Sequence, residues 1–230
     1  MSRMTPSSPT ASATSTASGA ARDPFIKRYI WGLSFVVGLL ALTILKTCQS
    51  KSLPSLQVIS VVEPFELIDQ NGQPFGSKEL DGKVWIASFF FTACKTECPL
   101  IGRAVKDLQD KLAGTPVQLV SISVDPEFDD PQALRNWGAQ FGADPARWHL
   151  LTGPRPAVEA VVGVTNKGLK TYMGESRKVT GGLVTIAHEM KVVLVDQHRG
   201  IRFYFDTRNE GEMALLVDHA KALAREGAAR

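Results

Sequence analysis

From Tyr29 to Leu45 the chain is apolar without a single charge, and beyond Lys51 the apolar residues come in short stretches whose period keeps changing. The run Val84 to Thr92 is continuous and rich in aromatic and β-branched residues, which predicts a strand buried on both faces. After Pro99, a residue tolerated in the first turn of a helix, Ile101, Ala104, Val105, Leu108 and Leu112 recur at helical spacing. Val117 to Val124 alternates as a second strand. Asp130-Pro131 then opens a helix with Leu134, Trp137, Gly138 and Phe141 on one face. Further on, the pattern predicts strands at 148–151, 184–188, 191–196 and 201–205, a short helix at 156–162 and a last helix at 210–226. That last helix turns Met213, Leu216, Val217, Ala220 and Ala224 inward and leaves His219 off the apolar face. Asn71-Gly72 marks a hairpin turn after Pro64–Asp69, Asp81-Gly82 a second turn, and Gly163–Gly182 reads as a long polar loop.

Strands alternating with helices, then antiparallel strands and a final helix, predict an α/β three-layer sandwich with a mixed sheet. Two cysteines at the end of the first buried strand make the thioredoxin-like arrangement the natural choice. Thiol oxidoreductases of that fold carry a cis-proline facing the cysteines, but this chain has no proline after Pro156.

The N-terminal part divides by composition. Residues 1–28, rich in Ser, Thr, Ala and Pro, read as a disordered tail, 29–45 as a transmembrane anchor, 46–59 as a linker and 60–230 as the folded domain. At 1.5 Å per residue the anchor spans ~26 Å, just enough for a hydrocarbon core of ~30 Å when its flanks snorkel. Tyr29 and Trp31 suit one interface and Lys46 the other. A cleaved signal would need a shorter apolar region and small residues at the cleavage site, which Lys46-Thr47-Cys48 does not offer, so Cys48 is read as incidental. The first 28 residues hold four basic residues against one acidic, the whole net charge of +3. That bias keeps the N-terminus in the cytoplasm and sends the domain outside: a single-pass protein of the bacterial inner membrane with its domain in the periplasm. The alternative is the mitochondrial inner membrane, facing the intermembrane space. The domain has no run of either charge sign and nothing that suggests a nucleic-acid partner.

The chemistry concentrates at Cys94-Lys95-Thr96-Glu97-Cys98. Backbone N–H groups at a strand-to-helix junction favour negative charge, which would lower a thiol pKa and raise the thiolate fraction. In helical geometry residues four apart share a face with Cα atoms ~6 Å apart, within reach of a disulfide and of one soft metal ion. Reversible disulfide chemistry and thiolate chelation both stay open. The plain alternative, two cysteines that only pack, is disfavoured by their position. His188 is the third element: a lone histidine at a strand is ordinarily satisfied by its neighbours, but facing a dithiol it would suit copper, with sulfur holding Cu(I) and nitrogen accommodating Cu(II). His149, His198 and His219 are weaker competitors, and Met190 reads as a core residue rather than a soft ligand.

Phe91-Thr92-Ala93-Cys94 through Cys98-Pro99, then Ser123-Val124-Asp125-Pro126-Glu127, Leu150-Leu151-Thr152-Gly153, and His188 with Leu194 and Asp196 resemble the Sco/SenC family. The resemblance runs from about Ser60 to the end of the chain and includes the anchor. It implies a thioredoxin-like, membrane-anchored copper-binding protein that helps assemble the CuA centre of cytochrome c oxidase, with Cys94, Cys98 and His188 as copper ligands. Its partners would be the CuA subunit of the oxidase or another copper chaperone. This chain departs from the family pattern at Lys95-Thr96, at Glu189 and in the turn Gln197-His198-Arg199. None of these removes a ligand, but Lys95, Glu97 and Glu189 would retune the site from outside the ligand set. Asp125 and Asp129 match the family's acidic motif. Their ordinary reading, as turn former and helix-cap neighbour, is preferred to a role beside the ligands. Two functions are compatible with this pattern: a metallochaperone that hands copper on by ligand exchange, and a membrane-tethered thiol–disulfide reductase acting on the cysteines of an oxidase or another exported protein. A peroxidase is excluded, because no Pro-x-x-x-Thr-x-x-Cys pattern surrounds Cys94.

Overall fold

The computed structural model describes residues 33–41, 53–163, 168–171, 178–180, 183–185 and 190–228. The chain falls into two units, Met1–Ser52 and Leu53–Arg230. In the first, residues 33–41 form a helix (α1) with every residue exposed. Among the described residues no helix is long and apolar enough to cross a membrane. The predicted anchor 29–45 extends past α1 at both ends, and those ends, the tail 1–28 and Cys48 lie outside the described residues.

In the second unit the elements follow in the order β1 (Ser60–Val61), β2 (Glu66–Asp69), β3 (Pro74–Gly76), α2 (Ser77–Leu80), β4 (Trp85–Phe90), α3 (Cys98–Lys111), β5 (Gln118–Ser123), α4 (Pro131–Phe141), β6 (Trp148–Thr152), α5 (Arg155–Val162), β7 (Lys178–Thr180), β8 (Leu183–Thr185), β9 (Lys191–Val195), β10 (Gly200–Asp206) and α6 (Glu210–Ala228). Eight strands form one mixed sheet in the order β1-β10-β9-β4-β5-β6-β2-β3. β4, β5 and β6 run parallel, while β9 pairs antiparallel with β4 and β2 antiparallel with β6. This is the mixed α/β arrangement expected. β4 is buried along its whole length, as a strand in the middle of a covered sheet must be. The region expected to be one long loop contains β7, which pairs antiparallel with β8 through Val179 and Val184. The strand expected over 184–188 is present as β8, and its remainder lies outside the described residues.

α3 and α4 pack on each other and on the sheet over β4 and β6. The Trp137 ring stacks on Phe90 at 4.0 Å and meets Trp148 edge-on at 6.2 Å. Close approach of the two helices depends on Gly102 of α3, where a Cβ would come within 2.5 Å of the Phe141 ring. Three polar groups in this core are paired with each other: Ser88 Oγ and Ser121 Oγ lie 2.6 Å apart, and Trp148 Nε1 donates to Ser121 Oγ at 2.8 Å.

The compact unit begins at Leu53, seven residues ahead of the sequence-based boundary, because the approach to β1 is fastened to β10 and its neighbours. Ile59 N donates to the Ile201 carbonyl at 2.8 Å, and the Arg202 guanidinium reaches the Leu56 carbonyl. This leader explains a difference on α6. His219 is buried, not turned away from the apolar face, and burial pushes its pKa down. It stands one turn from both Leu216 and Leu223, and residues Leu53–Leu56 line the same cavity of about 190 Å³. Helix periodicity cannot foresee a cover supplied from 160 residues away.

Candidate metal centre

The parallel strands β4 and β5 end at the same edge of the sheet, with Phe90 opposite Ser123. From the end of β4 the chain turns at once, the Cys94 N–H donating to the Phe91 carbonyl at 3.3 Å. α3 then starts at Cys98 with Pro99 in its first turn. The first-turn donors are few. Pro99 has none, and Leu100 and Ile101 both donate to the Glu97 carbonyl, at 2.9 and 3.1 Å. The Cys98 N–H, a first-turn donor with no acceptor within the helix, donates to the sulfur of Cys94 at 3.3 Å. Glu97 occupies the N-cap position but makes no side-chain cap. Cys94 Sγ does that work in its place.

The two sulfurs are thus brought together, though not as expected. Cys94 lies outside the helix, in the preceding turn, and helical i, i+4 geometry does not apply. The cap bond joins the pair. Both cysteines are reduced and almost inaccessible, at 5 % and 0 % exposure. The expectation of a lowered thiol pKa fails for Cys98, which is pushed far upward. The first cause is its hydrogen bond with Cys94, and the second is burial. A backbone hydrogen bond from Phe91 acts the other way and loses. Two adjacent sulfurs cannot both carry charge in a buried site, so Cys98 keeps its proton. Thr96 Oγ1 stands 3.8 Å from Cys94 Sγ.

Asp129 belongs to this neighbourhood in a way its position in the sequence did not disclose. Its carboxylate is 1 % exposed and accepts from Thr92 N at 3.0 Å, Thr92 Oγ1 at 2.6 Å and Ser123 Oγ at 2.6 Å. The helix cap is its neighbour Asp130, which accepts from Ala133 N. Thr92 and Ser123 stand in two of the motifs that carry the family resemblance, but the sequence alone assigns neither a role. Their places at the two strand ends, with a carboxylate six residues after Ser123, are the signal for that role. Asp125 is fully buried, and its backbone forms the expected turn by accepting from Phe128 and Asp129 N–H groups, while its own N–H donates to Ser123 Oγ. Glu97 is exposed, and its charge helps to raise the Cys98 pKa. His188 and Glu189 lie outside the described residues.

Among the described residues no group of three His, Cys, Asp or Glu side chains converges to hold a metal ion. The competing histidines are engaged elsewhere. His149 on β6 stacks on Phe75 at 4.1 Å and meets Gln118 Oε1 at 3.1 Å, and burial lowers its pKa. His198 is exposed in the β9–β10 turn and His219 faces the leader. Met190 packs half-buried against the core, as expected.

The model of the SCO1/SenC family matches residues 55–223, most of the chain. The chain belongs to the SCO1/SenC family. Its relatives include the SCO1 protein homolog of Bacillus subtilis, 40% identical over 94 residues, a match that covers 40% of this chain and 49% of the relative. Thus only about half the length of that relative is spanned. Among solved structures, BsSco, described as a member of the Sco family of cytochrome c oxidase assembly proteins with a disulfide switch, superposes with a TM-score of 0.62 at 27% identity. It covers 74% of this chain and 98% of that one. Bradyrhizobium japonicum ScoI, solved with copper bound, gives a TM-score of 0.60 at 26% identity, covering 71% of this chain and 99% of that one. The fold of this SCO1/SenC-family chain is accordingly that of the thioredoxin-like Sco structures.

Proposed function

We propose that this chain is a copper metallochaperone of cytochrome c oxidase assembly, taking copper on Cys94, Cys98 and His188 and delivering it to the CuA centre. The observation that carries the reading is the pair of buried sulfurs held together by the Cys98 N–H bond to Cys94, in a family that includes a member solved with copper bound. Soft sulfur donors suit Cu(I), and an added imidazole suits Cu(II). β9 runs antiparallel to β4, so its first residue, Lys191, lies toward the end of β4 from which the cysteine turn departs. His188 is three residues ahead of Lys191, a span of at most ~11 Å of extended chain. Copper is cargo in this scheme: Cys98 gives up its proton as the metal enters, and a partner's ligands replace the sulfurs one at a time as it leaves.

The second reading is a thiol–disulfide reductase, favoured by the same sulfur pair. The thiolate of Cys94 attacks a substrate disulfide and expels one substrate thiolate. The Cys98 sulfur, losing its proton, then attacks Cys94 of the mixed disulfide and expels the second, so two electrons pass to the substrate and the pair ends as a disulfide. His188 separates the two. His188→Ala should leave disulfide exchange largely intact while weakening Cu(II) binding and changing the thiolate-to-copper absorption band. A parent-like Cu(II) spectrum in that variant would remove His188 from the ligand set and move the reductase ahead.

On the same proposal, 29–45 spans the bacterial inner membrane once, with the N-terminus cytoplasmic and the folded unit in the periplasm. The support is the uncharged run and the basic residues ahead of it. Fusions after residue 60 should be active with an export-dependent reporter. Activity of a cytoplasm-dependent reporter at that point would reverse the orientation.

A further inference from the structure

We infer that Asp129 is a positioning residue for the cysteine pair, acting through Thr92 by hydrogen-bond geometry and not by its charge. The inference rests on the reading of Cys94 and Cys98 as the working sulfurs. Thr92 is the second residue of the Phe91–Cys94 turn, and Asp129 holds it twice, at the backbone N–H and at the hydroxyl. The Ser123 hydroxyl fixes the carboxylate from the end of β5. The direction in which the chain leaves β4, and hence where the Cys94 sulfur meets the Cys98 N–H, is therefore set from the neighbouring strand. A held turn keeps one sulfur within reach of the other before any metal or bond joins them, and such preorganisation favours both products, the disulfide and the chelate.

The donor pattern predicts which substitution is tolerated. The Thr92 N–H must find an acceptor, but hydroxyls turn. In Asp129→Asn the amide oxygen can accept from Thr92 N and Ser123 Oγ, while the amide NH₂ donates to a reversed Thr92 hydroxyl. Asp129→Ala leaves the half-buried Thr92 N–H and two hydroxyls without that acceptor.

The experiment measures two quantities on the full-length chain in detergent: the equilibrium of the Cys94–Cys98 pair with glutathione, and Cu(I) affinity by chelator competition. Asp129→Ala should lower the disulfide equilibrium constant about tenfold, equivalent to ~30 mV, and weaken Cu(I) by about tenfold or more. Asp129→Asn should stay within about twofold of the parent on both. Thr92→Val, which keeps the N–H bond and loses only the hydroxyl, should move both in the same direction by a smaller factor, and it decides the matter if Asp129→Ala does not fold. Parent-like values in folded Asp129→Ala, or in Thr92→Val where the alanine variant is lost, overturn the inference. So does an Asp129→Asn protein as impaired as the alanine variant, because charge would then be the agent. If the parent binds no Cu(I) while Asp129→Ala still shifts the glutathione equilibrium, the copper reading falls and the positioning role stands.

Discussion

Cys98→Ser should abolish the intramolecular disulfide and weaken Cu(I) binding by more than about 100-fold, the upper end of what removing a ligand's supporting partner costs. The fold should survive. The bond that joins the start of α3 to the cysteine turn comes from the backbone N–H of residue 98, which serine keeps. The buried space loses only the difference between sulfur and oxygen, and the new hydroxyl can donate to Cys94 Sγ. Cys94→Ser should behave alike, because serine is itself a good acceptor for first-turn N–H groups. In the unaltered reduced protein, Cys94 should be alkylated before Cys98. Cys98 is the less accessible of the two, and its thiol is held protonated by its bond to Cys94 and by burial. Chelator competition for Cu(I) and mass mapping after oxidation test both statements. A Cys98→Ser protein that holds Cu(I) as tightly as the parent would remove the sulfur pair from the function. Faster alkylation of Cys98 would reverse the order proposed for the two thiols.

Asp196→Ala should cost about 3 kcal/mol of stability, the lower end of the range for removing one member of a buried pair. The Asp196 carboxylate accepts from His198 N and Gly200 N, each at 2.8 Å, and from Arg202 Nε at 2.6 Å. It sits so close to the turn that a Cβ on residue 200 would fall 2.6 Å from Asp196 Oδ2, which is why glycine stands there. Removing the carboxylate strands two backbone donors and a guanidinium that is three-quarters buried. Arg202 also reaches the Leu56 carbonyl, so the leader should loosen with it. Urea unfolding should show the lower midpoint, and limited proteolysis should cut first between Leu53 and Ile59. An unfolding free energy within ~0.5 kcal/mol of the parent would mean that Arg202 finds another partner at no cost.

Much of the architecture was legible because burial imposes a period that residues must obey. The short run before Cys94, rich in aromatic and β-branched residues, reads as a strand covered on both faces. Asn71-Gly72 set the hairpin register, and Asp130-Pro131 opened α4 where it was expected. Cys94 and Cys98 were legible as a site because two thiols at a strand-to-helix junction have chemistry that packing alone does not require. What the sequence could not disclose was contact between distant segments. The bond that joins the two cysteines runs from a first-turn helix N–H, which has no acceptor within the helix, to a loop sulfur. Asp129 looked like a helix-cap neighbour because nothing local reveals that the ends of β4 and β5 bring Thr92 to its carboxylate. His219 looked solvent-facing because its cover comes from the far end of the domain. Periodicity and turn chemistry act over a few residues and can be read along the chain. Which acceptor a buried donor finds depends on strands that the fold alone brings side by side.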